Sequence, residues 1–412
     1  MTNYTQIESC RIGGGSDLIE VLNLGNQALT GVFPKSKEED ITVGPLQLVW
    51  SQRSGLLQLK HSYEAGEMYG DNYGYRSGLN KSMVQHLTRK VQFLERFVDL
   101  KPGSAVLDIG SNDCTTLKAY SIDGLDRIGI DPTAGKFAEY YPDDIKMVPD
   151  FFSADAYNSK MSKPASIVTS IAMFYDLDDP ITFAKEIEQI LGEGGVWHFE
   201  QSYMPSMLRM NSYDTICHEH IEYYSLSSVK FILESAGLKL VDVVVNNVNG
   251  GSFAVTAARA NDNTRKVNSA VIDWMLEQEV QMGLNTPKPF RDFEERVFRH
   301  RDDLVRLVRA LVADGKNVFG YGASTKGNVV LQFCGFDAND ITAIAEVNEE
   351  KFGKFTPGSK IPIISEAEAR AQNPDYFLVL PWHFREGILQ REQEYLNSGG
   401  RFIFPLPEIE IV

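Results

Sequence analysis

The chain has 412 residues, 43% of them hydrophobic, which suits two or three globular domains better than a single core. Forty basic against fifty-six acidic side chains leave a net charge of −16, which repels nucleic-acid phosphates and anionic lipid and makes both unexpected partners. The four cysteines, Cys10, Cys114, Cys217 and Cys334, are too scattered for a disulfide framework. No apolar run reaches the roughly 18 residues of a membrane span, and the N-terminus has no signal region, so a cytoplasmic protein is expected.

Residues 1–85 hold short apolar runs such as 18–25 and 45–50 without a long helical period, which predicts a small β-rich domain. Met83, Leu87, Val91, Leu94 and Val98 recur at helical spacing and lead into the next unit. Across 86–262, strand-like stretches at 105–110, 127–131, 166–171 and 194–200 alternate with helical ones, the pattern of a parallel sheet covered on both faces. A helix capped by Ser227 follows, then strands at 240–245 and 252–258 joined by Asn249-Gly250-Gly251. Residues 263–314 read as a helical connector broken at 285–289, with Phe293, Val297, Leu304, Leu307, Val308 and Leu311 on one face. A second alternating unit occupies 315–412.

Asp108-Ile-Gly-Ser-Asn-Asp113 follows a strand and opens a helix, and Asp131 ends the next strand, about where a carboxylate reaches a ribose. After Gly110 no glycine appears until Gly124, so a pyrophosphate cradle is poorly supported, and an adenosine ligand without phosphates, such as S-adenosylmethionine, fits better. Asp108, Gly110, Asn112 and Asp131 are the candidate cofactor residues, with Asp150 and Phe151 at an adenine edge. Gly320-Tyr-Gly-Ala-Ser-Thr-Lys-Gly-Asn328 repeats the strand–turn–helix theme, with Glu346 ending its next strand and Lys326 offering a cation to a diphosphate.

Between these turns lies Cys217-His-Glu-His-Ile-Glu-Tyr-Tyr-Ser225, expected over the carboxyl ends of the strands. A histidine there suits proton abstraction next to a ketone. His218 and His220 could also hold a metal, but no third histidine or cysteine cluster is near.

Together, Asp108-Ile-Gly-Ser-Asn-Asp, His218-Glu-His-Ile-Glu-Tyr-Tyr-Ser and Gly320-Tyr-Gly-Ala-Ser-Thr-Lys-Gly-Asn resemble the three-domain nucleotide-sugar C-methyltransferases of branched deoxysugar biosynthesis, over nearly the whole chain. The resemblance implies an α/β protein with a central class I methyltransferase (Rossmann-like) sheet, a small zinc-binding-type N-terminal domain and a second Rossmann-like C-terminal domain. It implies methyl transfer from S-adenosylmethionine to a carbon beside a ketone, C3 of a nucleoside-diphosphate 4-keto-deoxysugar. His220 is then the base, Glu219 its support, and Tyr75 a hydroxyl donor. Tyr73, Tyr223, Tyr224, Tyr321, Ser324, Lys326, Asn328 and Glu346 are the substrate candidates, with the 382–385 region beside them.

This chain departs from the family's two Cys-x-x-Cys pairs, reading Cys10-Arg-Ile-Gly13 and Ser51-Gln-Arg-Ser54, so a metal-free N-terminal domain is expected. By the same resemblance, Cys114 stands where the family usually has glycine and Cys217 where it usually has a tyrosine or similar residue. The rival readings are a non-catalytic sugar-nucleotide binding protein and an NAD-dependent sugar-nucleotide oxidoreductase. A monomer or small homo-oligomer is expected.

Overall fold

A computed structural model describes residues 4–68 and 76–412; Tyr73 and Tyr75 lie outside the described residues. At the N-terminus β1 (Tyr4–Gln6) pairs with β5 (His61–Tyr63), beside an antiparallel sheet of β2 (Leu18–Ala28), β3 (Val43–Ser51) and β4 (Leu57–Leu59). The fourth strand of that sheet, β11 (Glu222–Tyr223), comes from the His-Glu-His loop and pairs Glu222 with Gln58 and Tyr223 with Leu57. The N-terminal unit is therefore completed by a strand that starts at Glu222, far downstream of its own last strand at His61–Tyr63, and a cut at residue 85 would break it.

Two matching turns stand at Cys10–Gly14 and Ser51–Gly55. Gly14 N donates to Cys10 O and Gly55 N to Ser51 O, each at 2.9 Å, with both glycines at positive φ. The turns face each other: Cys10 Sγ lies 3.0 Å from Ser54 Oγ, and a Cβ added to Gly13 would sit 3.9 Å from that sulfur.

The central sheet contains β6 (Ala105–Ile109), β7 (Asp126–Ile130), β8 (Ile145–Val148), β9 (Ala165–Ile171), β10 (Leu191–Ser202), β12 (Leu238–Asn246) and β13 (Ser252–Arg259). Their order, β12-β13-β10-β9-β6-β7-β8, with β13 alone antiparallel to β10, is the class I methyltransferase arrangement. The Lys81–Phe97 helix, capped by the Asn80 side chain, buries His86, Leu87, Val91 and Leu94. The turn after β6 opens a helix as expected, and its four residues, Thr115–Lys118, begin after Asn112 and Cys114, which take left-handed φ values. One local expectation is corrected. The Leu226–Ser235 helix is capped by Ser225 rather than Ser227, since Ser225 and Ser228 form a reciprocal capping box.

The connector is two helices, Ser269–Gln281 and Lys288–Ala313, the second burying Phe290, Phe293, Val297, His300, Leu304 and Val308. The C-terminal sheet runs β16 (Ile363–Ser365), β15 (Ile344–Glu346), β14 (Val318–Tyr321), β17 (Tyr376–Val379), β18 (Arg401–Phe404), β19 (Glu410–Ile411), parallel except at β19. Its Thr325–Phe333 helix reaches across to the backbone leaving β2. Gln332 exchanges two hydrogen bonds with Ala28, and Asn328 Nδ2 donates to Thr30 O at 2.8 Å. Asn328 is fully buried, so removing its amide strands the Thr30 carbonyl. Asn328→Ala is expected to destabilise the protein by about 1–3 kcal/mol, read from the urea midpoint, whereas a variant as stable as wild type would refute this docking role.

Candidate active site

The carboxyl ends of the parallel strands place the first set of candidate residues on one edge. Gly110 turns the chain after β6 at φ +70, and a Cβ there would meet the Met173 side chain at 3.2 Å. Asp131 accepts from Asn112 N (2.8 Å) through one oxygen and from Thr133 N and Oγ1 (both 2.6 Å) through the other, so it fastens the turn from below. Asp108 is buried beneath, accepting from Thr169 Oγ1; burial pushes its carboxyl up to about 7, and the Thr169 and Thr116 hydrogen bonds hold it back. Asp150 and Phe151 follow β8, and the Phe151 ring is 57% exposed on that edge. An open glycine turn, a carboxylate at the second strand and an uncovered aromatic ring at the third fit an adenosine-bearing cofactor without a pyrophosphate. Cys114 does not narrow this turn: its sulfur is buried in the cluster of Val91, Leu94, Val106 and Leu117.

The His-Glu-His loop is wedged between the three units, and its side chains diverge. His218 is fully buried under the N-terminal sheet with Tyr63 edge-on at 4.7 Å. Burial lowers its basicity to about 4, opposed by the nearby Gly44 and Gln27 backbone. His220 turns the other way, half-buried, its ring 4.3 Å from that of Tyr175. Its Nδ1 lies 3.0 Å from the Thr215 carbonyl, which can only accept. The proton therefore sits on Nδ1, and Nε2 keeps the lone pair. Burial first, and the Lys326 charge second, hold His220 down at about 3.

Glu219 packs against Gly31, where any Cβ would collide with its carboxylate, and accepts from Thr30 Oγ1 at 3.3 Å; burial raises its pKa. Tyr223 and Tyr224 are buried, the first with its hydroxyl 3.4 Å from Thr215 O and the second bonded to Glu222.

Of the C-terminal candidates, only Lys326 joins this centre, together with Trp382 and His383. Trp382 Nε1 donates to Asp214 Oδ2 at 2.8 Å, and Lys326 Nζ donates to Asn249 O at 3.0 Å. Tyr321 is buried in its own sheet and bonds Glu392. Ser324 caps its helix by accepting from Gly327 N, and Glu346 accepts from Ala323, Val347 and Asn348 N. Asn328 is the docking residue described above. Sequence reasoning missed Tyr175, Asp214 and the buried cluster in which Glu200 is held by His86 (2.5 Å), Lys90 (2.6 Å) and Asn246 (2.7 Å). Burial pushes Glu200 up, but these partners outweigh it and bring it down to about 2. The spacing of His86 and Lys90, four apart on the Lys81–Phe97 helix, was the available signal.

Three family descriptions match in succession: "Putative zinc binding domain" over residues 10–69, "Methyltransferase domain" over 81–243 and "C-methyltransferase C-terminal domain" over 247–407. C-methyltransferase NovU of Streptomyces niveus is 33% identical over 411 residues, 98% of this chain and 97% of that protein. The chain belongs to the C-methyltransferase family. It is an S-adenosylmethionine-dependent enzyme. Among solved structures, the CcbJ methyltransferase from Streptomyces caelestis is 13% identical, with 42% of this chain and 89% of that one covered at a TM-score of 0.32. An S-adenosylmethionine-dependent methyltransferase from Clostridium acetobutylicum is 10% identical, with 43% and 92% covered at 0.33.

Among the described residues, the four positions read against the family's cysteine pairs do not form a zinc donor set. One thiol at Cys10, hydroxyls at Ser51 and Ser54, and nothing at Gly13 cannot supply the three or four ligands of a tetrahedral site. Among the described residues no group of three histidine, cysteine, aspartate or glutamate side chains is placed to hold a metal. No helix of the described residues is long and apolar enough to cross a membrane.

For the cofactor edge, Phe151→Ala is expected to weaken S-adenosylhomocysteine binding about tenfold by calorimetry, without changing stability, because the ring is uncovered in the protein. Unchanged affinity would remove Phe151 from the cofactor site.

Proposed function

We propose that this methyltransferase places a methyl group on C3 of a nucleoside-diphosphate 4-keto-6-deoxysugar, with His220 as the base. The observation that carries the reading is the Thr215 carbonyl on His220 Nδ1, which presents a neutral imidazole with its free lone pair on Nε2. Carbon is not nucleophilic until a proton is removed, and a ketone makes the neighbouring C–H acidic enough for such a base. Bound S-adenosylmethionine supplies the electrophilic methyl group. Asp131, Gly110 and Asn112 would hold it at one edge, with Asp150 and Phe151 at its adenine. Glu219, pinned by Thr30 and Gly31, supports the sugar or the base, and Tyr73 and Tyr75 are proposed hydroxyl donors to it.

Both C3 and C5 flank a C4 ketone, so the position of proton exchange reports the position of methylation. In deuterated water with S-adenosylhomocysteine bound, wild-type enzyme is expected to exchange the C3 hydrogen of a 4-keto sugar nucleotide, and His220→Gln to lose about 10²–10⁴-fold of that rate. Exchange undiminished in the variant would remove His220 from the role, and exchange at C5 would move the methyl group there. His220 is depressed from its ordinary 6.5 to about 3 and so stays in its base form as pH falls. The exchange rate is expected to hold level from pH 8 to below pH 6, and an acid limb near the ordinary histidine value would contradict the neutral state.

We further propose that the N-terminal unit folds without metal. Elemental analysis of the purified protein should give well under one zinc per chain, and stoichiometric zinc would overturn this.

A further inference from the structure

The glycine turn after β14 does not offer its backbone to a diphosphate. The Glu346 carboxylate already takes Ala323 N at 2.7 Å, with Val347 N and Asn348 N on its other oxygen, and Ser324 Oγ takes Gly327 N. A carboxylate seated in the turn repels phosphate oxygens rather than cradling them. Lys326, one residue into the helix, is directed elsewhere.

Its ammonium spends one of three donors on Asn249 O, in the hairpin between β12 and β13. The next residue, Gly250, lies under Trp382, where a Cβ would meet the ring at 3.3 Å, and Trp382 binds Asp214. Asp214 precedes Thr215, the residue that orients His220. These contacts close a ring around Lys326. Asp214 Oδ1, Thr215 Oγ1 and His383 Nδ1 are buried in it with no hydrogen-bond partner among the described residues, and Asp214 and Thr215 are at most 3% exposed. Polar atoms left open around a half-buried cation and beside the base mark a site for a polar ligand group. The Lys326 charge acts at once on His220, His383 and Asp214, which supports its central place.

We propose that Lys326 is a catalytic residue: its ammonium binds the ketone oxygen of the substrate and stabilises the enolate formed there as His220 removes the neighbouring proton. The inference rests on the proton-abstraction reading above. In the step, the C–H bond breaks, the proton passes to His220 Nε2, and the electron pair moves through the new C=C bond onto the oxygen. A neutral base and a neutral ketone become imidazolium and enolate, and the fixed cation beside the oxygen offsets the new negative charge.

The test uses the full chain with Lys326→Met and Lys326→Arg, following solvent deuterium entering a keto-sugar nucleotide at saturation. Thymidine, uridine and guanosine diphosphates and S-adenosylhomocysteine serve as binding probes. Lys326→Met is expected to lose about 10²–10³-fold in exchange rate, as when an oxyanion donor is removed, while the probes bind within about threefold of wild type, which also shows the fold intact. Lys326→Arg should recover part of the rate. Wild-type exchange in Lys326→Met overturns the proposal, as does lost nucleotide binding with an unchanged saturated rate, which would make Lys326 a diphosphate ligand. Wild-type enzyme that binds S-adenosylhomocysteine but exchanges no keto-sugar would overturn the proton-abstraction reading itself.

Discussion

A loop carrying two histidines, two glutamates and an aspartate leaves water at a cost that partners for its polar atoms must largely offset. In this methyltransferase those partners come from the N-terminal and C-terminal units and from the loop itself. The N-terminal sheet takes Glu222 and Tyr223 into its hydrogen-bonded ladder and His218 beneath it. The C-terminal unit supplies Trp382 to Asp214, and the loop's own Thr215 carbonyl orients His220. Each buried polar group without its partner would cost about 1–3 kcal/mol, so the loop cannot take this shape unless the three units are docked. The active-site geometry is in this sense a property of the interface.

The two Rossmann-like turns solve one problem in the same way. Each has its second-strand carboxylate, Asp131 or Glu346, accepting a backbone N–H from the turn after the first strand, Asn112 in one case and Ala323 in the other. A carboxylate that accepts two or more N–H bonds locks the turn. The cost is that neither turn is open to phosphate. In the central unit this agrees with a cofactor joined through a sulfonium rather than a pyrophosphate. In the C-terminal unit it leaves a docking platform whose helix contributes Asn328 and Gln332 to the neighbouring backbone and Lys326 to the shared centre.

The two N-terminal turns are also held by contacts that involve no metal. The turns retain their 2.9 Å closing bonds, the Cys10–Ser54 pair spans the gap, and Asp17 binds Ser51 and Arg53 N. Behind them Leu22, Leu48, Trp50, Leu57 and Leu59 are wholly buried. Apolar burial at roughly 25 cal/mol per Å² makes a dispersed contribution that does not depend on one ligand set.

The sequence by itself determined the order of elements, the parallel sheet with its late hairpin, the helical connector and the family, because hydrophobic period and glycine turns are local signals and the motifs lie in short runs. It also marked Asp131, His220 and Lys326 by residue type and position. Only the tertiary structure decided what those residues face. Tyr321 and Tyr224 have the right chemistry for a ligand, yet Glu392 and Glu222 occupy them. Tyr175 and Asp214 carry no motif and enter the centre only because β9 and the loop end beside each other. Side-chain direction and partner choice are set by contacts tens to hundreds of residues apart in the chain. Two histidines separated by one glutamate could therefore stand side by side in sequence and still point into different units.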